Sequence, residues 1–211
     1  MKKLTAILVL FFGASLLWWG FAVSQEKPKA STPKAASEKA DTTKAKEHAY
    51  VGATKCKMCH NTATWGKIYD KWAATKHAAA YTALAGEKAQ TVAKNLKIED
   101  PQKSEKCLVC HVAGYQASAK LKGEKYSMEE GVTCEVCHGP AGDYLKSHNK
   151  KDNEKQAIAD GLVKPTEELC VACHNKQSPT FEGFKYEEAI KLVEHHKPTM
   201  EELKKTEAEG K

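Results

Sequence analysis

The 211-residue chain contains no arginine; all 33 of its basic residues are lysine. No group of these lysines is interleaved with aromatic side chains, so a nucleic-acid-binding role has no support. Apolar residues are scarce too. They make up 41% of the chain, with a mean hydropathy of −0.58, which is lean for a protein that must build its core from side chains alone. No Ser-His-Asp arrangement, phosphate-binding glycine loop or paired-carboxylate pattern rises above background, and no catalytic machinery of those kinds is expected.

Nor is there a spare cysteine. All eight fall into four copies of C-x-x-C-H: Cys56/Cys59 with His60, Cys107/Cys110 with His111, Cys134/Cys137 with His138, and Cys170/Cys173 with His174. This spacing is the attachment signature of c-type haem. Each thiol adds to one vinyl group of the porphyrin, and one helical turn sets the histidine beneath the ring, aimed at the iron. Structural zinc is the plainer rival, because paired C-x-x-C knuckles build four-thiolate sites. It gives no reason for a histidine after every second cysteine. At a chance of about one in forty per position, four such coincidences have odds on the order of one in a million. A disulfide framework leaves the histidines equally unexplained. The cofactors implied are four covalently attached haems c, with iron. These large flat apolar plates would serve as the missing core, so the chain without them is expected to be largely unfolded.

Lys2 and Lys3 precede an apolar run over 4–23, with small residues around Ser24. Residues 1–24 therefore read either as a signal peptide or as an uncleaved N-terminal membrane anchor. Both place the bulk of the chain outside the cytoplasm, periplasmic and soluble or tethered to the membrane, where c-type haems are attached. Residues 25–47, mostly lysine, alanine, proline, serine, threonine and glutamate, read as a flexible linker. Residues 48–211 then form the haem domain. Setting aside Lys2, Lys3 and the six lysines and four acids of 25–47 leaves this domain at about +2. Eight haem propionates turn that to about −6, so its lysines are expected to pair with propionates or to steer a redox partner.

Apolar periodicity predicts a helix over 61–86 carrying Tyr69, Ala73, His77, Tyr81 and Leu84 on one stripe, with Gly86 as its C-terminal cap. Four irons need sixth ligands, and His77 on that stripe is a candidate axial ligand. A second helix is expected over 87–97, a loose hairpin around Gly123, a turn capped by Ser127-x-x-Glu130, and a short helix over 152–160 stopping at Gly161. His148 follows a Gly-Pro-x-Gly turn that swings the chain from the third attachment site towards another haem. A last helix is expected over 186–197, ending at Pro198 before a frayed charged tail; its stripe passes nearer His196 than His195.

Several stretches are shared with a known family: Tyr50-Val-Gly52 ahead of Cys56, Trp72-x-x-x-x-His77-Ala78-x-Ala80, and Gly131-Val-x-Cys134-Glu-x-Cys-His-Gly-Pro140. Cys173-His-Asn175-x-x-Ser178-Pro-Thr-Phe181-x-x-Phe184 completes the set. By these the chain resembles the tetrahaem cytochrome c-554 family over about 50–198. The resemblance implies a mainly α fold with long loops, a small multihaem cytochrome organised around four covalently bound haems in close, partly stacked pairs. It implies that His77 ligates another haem, the third, and that His148 returns to the first. It points to His195 as the C-terminal ligand. Because helix ends deviate from ideal periodicity, His195 is preferred over His196. It also implies that the second haem, on His111, can lack a sixth ligand. His48 and His196 are the residues available to fill that gap, and His48 is equally readable as a solvated linker-end residue. Met58, Met128 and Met200 are poorer candidates.

The expected function is electron transfer between redox partner proteins through closely spaced bis-histidine haems, with no enzymatic activity of its own. Two alternatives stand beside it. One is binding or reduction of nitric oxide or a related nitrogen species at an open second iron. The other is a haem-bearing subunit of a filament or membrane complex.

Overall fold

The computed structural model describes residues 46–148 and 152–209; the leader read over 1–24 and all but the last two residues of the 25–47 linker lie outside them. Short helices joined by long loops make up the haem domain. They are α1 (Ala53–His60), α2 (Ile68–Ala73), α3 (Ala80–Ala83), α4 (Glu87–Asn95), α5 (Glu105–His111), α6 (Cys134–His138), α7 (Glu154–Ala159), α8 (Glu167–Val171), α9 (Tyr186–Ala189) and α10 (Met200–Glu209). Among the described residues there is no strand. The one extended pairing is an isolated parallel bridge between Tyr50 and Lys122, in which Tyr50 donates to the Leu121 carbonyl at 2.7 Å. Among the described residues, too, no helix is long and apolar enough to cross a membrane.

The buried apolar residues are few and small. Of the nine found among the described residues, five are alanines: Ala53, Ala93, Ala113, Ala141 and Ala157. A buried methyl contributes only about 0.8 kcal/mol, far less than a leucine or phenylalanine. Two small clusters carry what side-chain core there is. Leu84, Leu108 and Val112 pack with Tyr81, Tyr115 and Tyr126, and Ala141, Tyr144 and Ala157 pack with Val51 and Leu162. Neither is large enough to organise the four attachment segments, which is the role left to the porphyrins.

Several expected elements take a different form. The single helix over 61–86 is broken twice. Gly66 and Lys67 both adopt left-handed conformations, at φ 68° and 49°, and the chain turns again over 74–79 before α3. The second break exposes the His77 carbonyl, which accepts from the amides of Ala80 at 3.1 Å and Val132 at 3.0 Å. Gly86 is not a C-terminal cap. Its backbone is extended (φ −74°, ψ 159°) and it stands at the N-terminus of α4. The hairpin around Gly123 is absent, replaced by two 3-10 turns, Ala119–Leu121 and Met128–Glu130. Ser127 caps the second by accepting from the Glu129 amide at 3.2 Å, but Glu130 reaches elsewhere. The last helix is also shorter than expected. α9 runs into a 3-10 turn, Ile190–Leu192, and Val193 (φ −129°) bends the chain before either histidine. The tail is not frayed from Pro198 onward. Thr199 and Glu202 form a reciprocal capping box, Glu202 N–H to Thr199 Oγ1 at 3.2 Å and Thr199 N–H to Glu202 Oε2 at 2.7 Å, and α10 follows.

Candidate haem-attachment sites

Each C-x-x-C-H motif lies on or just past one short helix: the first on α1, the second on α5, the third on α6, and the fourth on α8 with Cys173 and His174 beyond its end. One helical turn separates the cysteines of a pair, and the histidine follows on the same turn. Threonine at the start of α6 explains its sharp onset, because Thr133 Oγ1 accepts from the Glu135 amide at 3.3 Å.

One cysteine differs from the other seven in its exposure. Cys59 is exposed, whereas Cys56, Cys107, Cys110, Cys134, Cys137, Cys170 and Cys173 are all partly buried. The reason lies in how α1 packs. Ala53, Cys56 and His60 face the rest of the domain, while Thr54, Lys55, Lys57, Met58 and Cys59 face outward. The protein itself therefore encloses only one thiol of the first motif. Cys59 is set in place by its spacing from Cys56 on the helix and not by side chains packed around it, so a ring attached through both thiols would have an edge near the surface.

The histidines that follow the motifs each meet a second imidazole, with one exception. His60 faces His148 with ring centres 6.1 Å apart and planes 12° from parallel. His77 faces His174 at 6.0 Å and 61°, and His138 faces His195 at 6.0 Å and 66°. An iron bound between two imidazoles needs two bonds of about 2 Å plus about 1.2 Å from each nitrogen to its ring centre, about 6.4 Å in all. The three spacings, 6.0–6.1 Å, lie close to that requirement. The ring that His77 meets belongs to the fourth motif, which corrects the expectation that it meets the third. The reason is local: the break at 74–79 and the staple of Trp72 Nε1–H to the Val132 carbonyl (3.0 Å) fix where residue 77 points.

Hydrogen bonds set the tautomers. The Nδ1 atoms of His148 and His195 lie 3.0 Å from the carbonyls of Tyr144 and Val193, and that of His111 lies 2.7 Å from the Ala80 carbonyl. A carbonyl only accepts, so Nδ1 carries the proton and Nε2 keeps its lone pair, the form that binds a metal. Burial pushes the His60, His77 and His138 imidazoles below their usual range, and the facing rings His148, His174 and His195 push the same way. Neutral imidazoles are what an iron requires. Phe184 stacks on His174 at 5.0 Å and limits its rotation.

The thiols of different motifs also meet. Cys56 and Cys134 hydrogen-bond to one another, raising the first and lowering the second, while burial beside Cys110 pushes Cys173 up to about 12. None of the eight is in a disulfide. Among the described residues no three His, Cys, Asp or Glu side chains gather as a metal cage, which leaves the zinc reading without a site. A thioether has no proton to lose, so these shifts belong to the chain before attachment. What persists is the adjacency of the first motif to the third and of the second to the fourth.

His111 takes part in none of the facing ring pairs found among the described residues. The two residues considered for its open side are engaged elsewhere. His48 Nδ1 lies 2.7 Å from Asp143 Oδ2, and its ring packs so closely on Gly161 that any Cβ there would collide with it. His196 Nε2 lies 3.3 Å from Glu202 Oε1, with a side chain 71% exposed.

Sequence reasoning missed the residues that hold the attachment helices together. Glu135 and Glu130 accept four successive amides at the entrance to α1: Val51 and Gly52 on Glu135, Ala53 and Thr54 on Glu130. An acid between the two cysteines of the third motif was the visible signal, but nothing local shows that it reaches residues 51–52. Gly131 is explained by the same packing. At φ 69° it lets the chain pass so close to the His77 and Ala78 carbonyls that a Cβ would sit 2.8–2.9 Å from them.

Known proteins resemble this chain in sequence and fold. The profile of the family described as "Cytochrome c554 and c-prime" matches residues 55–139, covering the first three motifs. Over 184 residues the chain is 29% identical to cytochrome c-554 of Nitrosomonas europaea, which spans 70% of this chain and 76% of that protein. The reduced-state structure of cytochrome c554 from Nitrosomonas europaea superposes with a TM-score of 0.51 at 25% identity, covering 72% of this chain and 86% of the other. Motifs, fold and relatives agree: the chain is similar to the cytochrome c554 family, and its four C-x-x-C-H motifs mark it as a c-type cytochrome with covalently attached haem c.

Proposed function

We propose that this chain is an exported tetrahaem electron carrier in which three irons have two histidine ligands each and the fourth has one. The pairs are His60 with His148, His77 with His174, and His138 with His195, and His111 stands alone at the second attachment site. The observation that carries the reading is the spacing of 6.0–6.1 Å in all three ring pairs. Bound haem supplies a one-electron iron couple at each site, and neighbouring rings exchange electrons.

The chain's own residues supply attachment, orientation and electrostatics. Backbone carbonyls of Tyr144, Val193 and Ala80 keep Nε2 of His148, His195 and His111 free for metal. Two histidine ligands, with no methionine, hold a potential low. Lysines at the surface neutralise propionates and steer docking of donor and acceptor proteins. Export rests on the apolar leader over 4–23 and on the attachment of c-type haem outside the cytoplasm.

A second reading is favoured by one feature, the unpaired ring of His111. An iron held there by a single protein ligand has room for a diatomic such as nitric oxide. An EPR spectrum of the oxidised holoprotein tests both readings. Three low-spin signals and one high-spin signal are expected, and four low-spin signals would overturn the assignment at His111. Perturbation of the high-spin signal by nitric oxide, with the low-spin signals unchanged, would support the second reading.

A further inference from the structure

Glu135 lies between the two cysteines of the third motif and is 2% exposed. Its carboxylate accepts three amides, each at 2.8 Å: Val51 and Ala141 on Oε1, Gly52 on Oε2. All three partners are N–H donors and favour the ionised form, against the burial that pushes this carboxyl up. No ion pair to a lysine is found for it among the described residues. The carboxylate is therefore buried, held by amides on both oxygens and, among the described residues, without a counter-ion.

Its three partners are informative. Val51 and Gly52 lead directly into α1, which carries the first motif. Ala141 begins the segment that ends in His148, whose ring faces His60. Glu135 itself sits on α6 with the third motif, and the Cys56 and Cys134 thiols meet beside it. One carboxylate thus ties both ligand-bearing segments of the first site to the attachment helix of the third.

We infer that Glu135 is a positioning residue and a fixed anion shared by the first and third haem sites. It holds the two sites in register and lowers both potentials together. An unscreened negative charge in a low-dielectric seam favours the ferric form of every iron close to it, and the effect falls with distance. None of its hydrogen bonds reaches the second or fourth attachment segment, and those two sites feel it less. This rests on the haem reading above.

The test is spectroelectrochemical titration of full-length holoprotein carrying Glu135→Gln or Glu135→Asp, with covalent haem counted by denaturing mass spectrometry. Glu135→Gln is expected to shift two of the four one-electron equilibria at least tenfold towards reduction, about 59 mV each. Glu135→Asp keeps the charge and is expected to leave those two near wild type although it loosens the amide contacts. A purely structural role predicts the reverse ranking or equal effects. The inference is overturned if Gln leaves all four potentials in place, moves all four alike, or behaves as Asp does. If Glu135→Gln loads fewer than four haems, hydrogen exchange of wild-type holoprotein decides. Slow exchange of the Val51, Gly52 and Ala141 amides as a set supports the clamp, and fast exchange at any one of them overturns it. A wild-type mass lacking four haems would instead sink the haem reading itself.

Discussion

The assignment of His195 over His196 makes the sharpest local prediction, because the two neighbours differ in every relevant respect. His195 faces His138 at 6.0 Å and turns Nδ1 to the Val193 carbonyl at 3.0 Å. His196 is 71% exposed and lies against Glu202. Removing a sixth ligand converts one iron of four from low to high spin. His195→Ala should therefore move about a quarter of the total haem into the high-spin EPR and charge-transfer absorption, beyond any high-spin fraction already present at the second site. His196→Ala should move none and leave the four potentials in place. His195→Met should restore the low-spin state and raise that one potential, since His/Met ligation sits higher. If His196→Ala produces the high-spin haem, or His195→Ala does not, the ring-pair reasoning is refuted.

Further expectations follow from the same geometry. The His60–His148 planes are near parallel while the other two pairs are crossed at 61° and 66°. Parallel rings split the iron's two π-type d orbitals and crossed rings leave them nearly degenerate. EPR should accordingly show one rhombic low-spin signal and two strongly anisotropic ones, and three alike would contradict the pairings. Gly52 sits at φ 85°, where a Cβ would strike the Lys125 carbonyl. Gly52→Ala should cost roughly 1–3 kcal/mol or more and lower haem incorporation, measured as a drop in melting temperature and in covalent haem per chain. Leu108, 2% exposed in the larger apolar cluster, should lose about 2–5 kcal/mol on truncation to alanine in a denaturant titration. His48→Ala should leave all spin states unchanged, because its ring, Nε2 side included, packs against Gly161; a new high-spin signal would place His48 on an iron.

The attachment chemistry was legible in the sequence because it is covalent and local. Two thiols and an imidazole on one helical turn carry the signal wherever the turn lies. The exposure of Cys59 was not legible, since it depends on which face of α1 meets the domain and not on the motif. His77, His148 and His195 could be named as candidates by resemblance and by the count of irons, but their pairings are long-range facts. His77 meets the fourth motif, 97 positions away, because the break at 74–79 and the Trp72–Val132 bond redirect the chain. The same redirection defeated the reading of 61–86 as one helix. An apolar stripe reports which residues avoid water and cannot say whether a helix or a porphyrin covers them. In the last helix the periodicity favoured His196 because it assumed regular turns beyond Leu192, where the backbone leaves the helix. Glu135 was visible as a residue type and invisible as a clamp, since its partners lie 83, 84 and 6 positions away.

The central claim is that the facing imidazoles bracket irons. An anomalous difference map at the iron absorption edge, from crystals of the holoprotein, addresses it directly. Four peaks are predicted, three midway between His60 and His148, His77 and His174, and His138 and His195, and the fourth against His111 alone. An iron displaced from any of those midpoints, or a second imidazole found opposite His111, would contradict the account.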